Sequence, residues 1–138
     1  MKFLMMVYCD DALLEALPAG EFDIRMRGCL AHADELRGQG SLHDSQQLEP
    51  PSTARSVRVR GQHTQVVDGP FAETKEYLAG FNLIEAADMD EAMRIALEFP
   101  WARTGCIELR PVRDMDAVRR RVGAEPSPVP VARATGGN

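Results

Sequence analysis

The sequence has no Cys-x-x-Cys pair, no apolar run long enough to cross a bilayer and no excess of positive charge. Each absence removes a class of function. Cys9, Cys29 and Cys106 are odd in number and far apart, which suggests neither a disulfide framework nor a thiolate zinc site. A membrane helix needs about twenty consecutive apolar residues, and none is found. Lys2 is followed by too short an apolar run, and by no small-residue cleavage site, to suggest a signal peptide. A cytoplasmic protein with reduced thiols is expected. A net charge of −5 and a pI near 5.2 argue against nucleic acid as a partner, because phosphate binding needs a basic patch. The arginines are dispersed except at Arg119-Arg120-Arg121. No Gly-rich phosphate loop and no serine nucleophile elbow appear. No cofactor, nucleic acid or membrane partner is expected.

What is present is enough for one domain with a real core, since the chain has 138 residues. Phe3-Leu4-Met5-Met6-Val7-Tyr8 is a continuous apolar run that suits a central strand. Asp10 or Asp11 can cap a short helical turn that Pro18 stops. A helix over residues 21–37 places Phe22, Met26, Leu30 and Ala33 on one apolar face, with Cys29 and Leu36 beside them, and Gly38-Gln39-Gly40 ends it. Residues 41–48 form a polar second strand with Leu42, Asp44, Gln46 and Leu48 on one face and His43, Ser45 and Gln47 on the other. Two strands joined by Gly61-Gln62 have the pattern of a type II′ hairpin.

Residues 78–86 form the next strand, with Phe81, Leu83 and Ala79 on one face and Leu78, Gly80, Asn82 and Ile84 on the other. Gly80 marks a bulge or a close backbone approach. Asp88 caps a helix whose stripe is Met89, Ala92, Met93, Ala96 and Leu97. A last strand over residues 104–112 precedes a short charged helix over residues 114–122. The domain is expected over residues 1–123, followed by a Pro- and Gly-rich tail over residues 124–138 that composition reads as flexible. Residues 126–133 are expected to lie extended against a surface, with Val129 and Val131 as apolar contacts. The order of elements is βαβ plus βαβ, an α+β fold with helices on one face of a mostly antiparallel sheet. The uncovered face calls for a second copy of the chain.

The stretch Asp68-Gly69-Pro70-Phe71-Ala72-Glu73-Thr74-Lys75-Glu76 gathers most of the polar chemistry at mid-chain. Asp68 reads as a turn-former that accepts backbone N–H bonds or as a ligand-binding carboxylate, with the turn favoured. Phe71 is expected to be buried as its anchor. With Leu78-Ala79-Gly80-Phe81, and with Asp90-Glu91-Ala92 and Ile107-Glu108-Leu109-Arg110-Pro111-Val112 further on, it resembles the DGPF group of YCII-related proteins over residues 2–112. The resemblance implies a ferredoxin-like βαβ-βαβ domain, dimers in an α+β barrel-type assembly, and a cleft near the signature turn. Some relatives eliminate halide from ring compounds, and members of the DGPF group are often encoded beside, or fused to, alternative sigma factors. Many relatives place a histidine on the first helix and an aspartate before a proline after the second. Here those places hold Cys29 and Phe99, so that acid–base pair does not carry over.

The weak catalytic candidates are Asp68, His32 and Lys75. His32 lies one helical turn from Cys29 and has a side chain that titrates near neutrality. Candidate ligand contacts are Asp68, Glu73, Lys75 and Asn82. Lys75, flanked by carboxylates, could hold an anion, although a charge run is more often a solvated face. His43 and His63 lack metal-ligand spacing, so no metal is expected. Cys29 reads most simply as a small core residue. Two functions follow. One is a dimeric small-molecule-binding protein, with proton transfer or elimination as its chemistry. The other is a non-catalytic interaction module, accessory to transcription beside a sigma factor.

Overall fold

The computed structural model describes residues 1–128. In chain order its elements are β1 (Lys2–Asp10), α1 (Asp11–Glu15), α2 (Glu21–Gly38), β2 (Leu42–Gln47), β3 (Arg55–Arg60), β4 (His63–Asp68), β5 (Glu76–Glu85), α3 (Met89–Leu97), β6 (Gly105–Pro111) and α4 (Met115–Val122). The apolar run at the start of the chain becomes a central strand. β1 is hydrogen-bonded antiparallel to β5 on one side and to β6 on the other. β2 joins the far edge of β5, giving a four-stranded sheet in the order β2-β5-β1-β6. Each crossover, β1-α2-β2 and β5-α3-β6, therefore passes over one intervening strand. The fold is α+β with antiparallel sheets, compatible with a ferredoxin-like fold.

The core lies between this sheet and α2 and α3. Strand alternation sends Phe3, Met5, Val7 and Cys9 toward the helices, where they meet Ala33 and Leu36 of α2 and Ala92, Ile95 and Ala96 of α3. Phe3, Met5 and Ile84 are fully buried. The opposite residues of β1, Leu4, Met6 and Tyr8, are only half-buried. The helix starts are capped as the sequence suggests. Asp10 Oδ1 accepts from the Ala12 N–H at 3.0 Å, and Asp88 Oδ1 from the Glu91 N–H at 2.9 Å. Asp114 caps α4.

Between β2 and β5 the chain makes an excursion, the hairpin β3–β4, which forms its own two-stranded sheet. Gly61 has φ of +60° and Gln62 has no positive φ, as a type II′ turn requires. Val57, Val59 and Val66 are all exposed. Thr64 pairs with Val59 and Val66 with Val57, so these valines share one hairpin face. Arg58, Arg60 and His63 share the other.

Several expectations are corrected. Two β-bulges change which residues face the helices. Val7 pairs with Gly80 but Tyr8 with Leu78, so Ala79 is the extra residue, and Tyr77 and Ala79 rather than Leu78 turn toward α2. Leu42 pairs with Ile84 but Asp44 with Leu83, so His43 is extra. Leu42 then shares the helix-facing side with Ser45 and Gln47, not with Asp44 and Gln46. On α2, Leu30 is 52% exposed, and on α3 Met89, Met93 and Leu97 point outward while Ile95 turns in. The buried face of α3 is Ala92, Ile95 and Ala96.

The signature turn also differs. Among the described residues the Asp68 carboxylate accepts no backbone N–H. It pairs with Arg55 Nη1 at 2.9 Å and its side chain is 85% exposed. The turn is closed instead by one main-chain bond, the Gly69 N–H donating to Ala54 O, and by the Ser56 hydroxyl, which donates to Gly69 O. Phe71 is 79% exposed and anchors nothing. Residues 124–128 form no helix or strand, and the expected contacts of Val129 and Val131 lie outside the described residues.

Candidate functional site

An apolar cavity of about 230 Å³ opens between the first half of α2 and the sheet. It exists because the sheet residues beneath this part of the helix are small. Gly80, Ala79 and Ser45 leave room where the other end of the sheet presents Phe3, Met5 and Ile84. Gly80 is required there, since a Cβ would lie 2.7 Å from the carbonyl oxygen of Gln46 on the neighbouring strand. Phe22, Met26 and Cys29 look down from α2 onto this space, which is why they are incompletely buried. Trp101, from the 3₁₀ turn Pro100–Arg103, closes one end.

The wall is held by weak polar contacts. Trp101 Nε1 donates to Cys29 Sγ at 3.3 Å, and the Phe22 and Trp101 rings lie 5.7 Å apart at 42°. Gln47 Nε2 donates to Met26 Sδ at 3.2 Å. Asn82 is different. Its side chain comes up from the floor, the residue is 7% exposed, and its amide makes no hydrogen bond to any described residue. Ser45 sits directly across from it on β2.

The cavity's own titratable groups are all held protonated. Burial raises both thiols, Cys9 and Cys29; Asp11 adds to the first, and the Trp101 N–H partly offsets the second. The Tyr77 hydroxyl donates to Asp11 Oδ1, and that bond, with burial and the charge of Asp11 behind it, pushes its pKa to about 12. Among the described residues the lining includes no carboxylate, imidazole or ammonium.

Of the residues singled out from the sequence, Asn82 lines the cavity. Asp68, Glu73 and Lys75 do not. Lys75 reaches Asp10 Oδ2 at 3.5 Å from an otherwise exposed position, and the Asp10 side chain is itself buried. His32 lies on the far side of α2. Its Nε2 meets Glu98 Oε2 at 2.7 Å and its ring packs edge-on to Phe99, so it ties α2 to the end of α3. His43 pairs with Glu85 at 2.9 Å, and His63 stands at the tip end of the hairpin. No group of three metal-ligating side chains occurs among the described residues. Sequence reasoning missed Trp101, Tyr77 and Cys9 as lining residues. The one available signal was a lone tryptophan directly after Pro100.

Comparison with known proteins agrees with the fold. The sequence profile described as the YCII-related domain matches residues 1–116. An uncharacterized protein of Rhizobium meliloti (strain 1021) is 36% identical over 114 residues, which covers 81% of this chain and 92% of that protein.

Proposed function

The chain belongs to the YCII-related domain family, and from that premise we propose that it binds a small, mainly apolar molecule in the cavity beneath α2. The observation that carries this reading is the pairing of an apolar cavity with one side-chain amide, that of Asn82, which opens onto it and makes no hydrogen bond to any described residue. Binding sites have this composition: apolar walls for affinity and a few polar groups for orientation. The volume is below the range of drug-sized pockets, which begins at roughly 300 Å³, so the occupant is about the size of a single ring. The lining favours binding over proton transfer or elimination, because its thiols and phenol stay protonated near neutrality. We further propose that the open sheet face, with Leu4, Met6, Phe81 and Leu83, pairs with a second copy of the chain. Toluene binding followed by fluorescence of the sole tryptophan, Trp101, tests the cavity. Saturable change supports it, and a flat titration to the solubility limit counts against it. Sedimentation at micromolar concentration tests the dimer, and a monomer would remove that part.

A second reading, an interaction module accessory to transcription, draws on the projecting hairpin. Its valine face and its Arg58 and Arg60 face are both exposed. That reading requires that a variant with residues 56–67 replaced by a short Gly/Ser linker lose a sigma-factor partner the intact chain retains.

A further inference from the structure

The chemistry of the cavity's occupant follows from what surrounds Asn82, and this step rests on the binding reading above. A side-chain amide offers two donors on nitrogen and an acceptor on oxygen. Its polar atoms open onto the cavity, so a ligand that displaces the water meeting them must replace that water's hydrogen bonds. The residue is more than nine-tenths buried and lines the cavity. Phe22, Trp101 and Tyr77 supply flat walls elsewhere in the same cavity.

Three ligand types compete for such a site. A carboxylate would bring a full negative charge into a lining with no cation and would meet the acceptor oxygen of Asn82 as well as its donors. A hydrocarbon would fill the space and leave the amide unpaired. A neutral ring bearing an adjacent donor and acceptor, as a primary carboxamide or a lactam does, forms two hydrogen bonds with Asn82 at once. It does so whichever way the amide is turned, since both partners carry a donor and an acceptor. We propose that the cavity selects neutral, flat, single-ring molecules with a carboxamide-type edge, and that Asn82 is the specificity-determining residue.

Titration calorimetry with benzamide, benzoate and toluene, on the wild-type protein and on Asn82→Leu, tests this. These probes share a ring and differ at one substituent. Wild type is expected to bind benzamide roughly tenfold more tightly than toluene, on the order of one net hydrogen-bond pair, and benzoate most weakly. Asn82→Leu is expected to lose that preference while still binding toluene, which also shows that the variant is folded. N,N-dimethylbenzamide keeps the carbonyl and lacks the donor, so its weaker binding to wild type reads the same pairing without any mutation. Toluene binding with no preference for benzamide would overturn the proposal and leave the binding reading standing. Tightest binding of benzoate would also overturn it. Failure of all probes to bind would remove both.

Discussion

Replacing Asn82 by leucine is expected to stabilise the protein without ligand. The two side chains have similar volume, and the change removes an amide that opens onto the cavity and makes no hydrogen bond to any described residue. Water that solvates this amide inside the cavity is ordered at a cost of up to about 2 kcal/mol, which leucine removes. Leucine adds apolar contact with Met26 and Val7, which also line the cavity. The net expectation is a gain of about 1 kcal/mol. With a urea m-value of about 2 kcal/mol/M for a chain this size, the midpoint should rise by about 0.5 M with m unchanged. Trp101 fluorescence and far-UV circular dichroism report the same transition from two sides. Destabilisation by about 1 kcal/mol or more would refute the reasoning, because it would mean that the amide holds the sheet together. The expected result has the form of a stability–function trade-off, in which a residue unfavourable to the fold is kept for what it binds.

Gly105→Ala should destabilise by about 1–3 kcal/mol, because a Cβ there would collide with the Tyr8 carbonyl where β6 meets β1; urea unfolding measures it, and an unchanged midpoint would show that the edge strand yields freely. Tyr77 should ionise only near pH 12, and Asp11→Asn should move it back toward 10, read as absorbance near 295 nm. The sign for stability follows from the raised folded-state value: the unfolded chain loses this proton first as pH climbs above 10, so the contribution of the Tyr77–Asp11 bond is intact below 10 and is lost between 10 and 12. An unmoved phenolic transition in Asp11→Asn would contradict the bond. Asp68→Asn should change stability by no more than about 0.5 kcal/mol, as expected for an exposed ion pair with Arg55; a loss above 1 kcal/mol would restore the structural role that the sequence suggested for this carboxylate.

The parts of the fold legible in the sequence were those decided by neighbours in the chain. The apolar run of β1, the caps at Asp10 and Asp88 and the type II′ turn at Gly61 each rest on residues within a few positions of one another. Gly80 announced a close approach, although not to which strand. The bulges at Ala79 and His43 were not legible, because an extra residue in a strand is defined only by its partner strand. One shifted residue exchanges Leu78 for Ala79 on the helix-facing side and so changes what lines the cavity. Asp68 and Phe71 misled for a related reason. A local motif suits a turn closed by its own side chains, while the turn here is closed from outside it, by the carbonyl of Ala54, fourteen residues upstream of Asp68, and by the Ser56 hydroxyl. The cavity is an empty space shaped by small residues on β2 and β5 under large ones on α2. No sequence window contains it, although Asn82, beside Gly80 on its strand, was picked out as a candidate ligand contact.

The most direct test of the account is the indole N–H signal of Trp101 in a ¹⁵N–¹H spectrum. The chain has one tryptophan, and its indole donates to Cys29 at the end of the cavity. Titration with benzamide should shift this peak saturably, and the shift should vanish in Ala79→Leu, which fills the cavity floor while leaving Asn82 in place. An indole peak that stays fixed through the titration, or one that moves equally in the filled variant, would contradict the claim that this cavity is where the protein takes up its ligand.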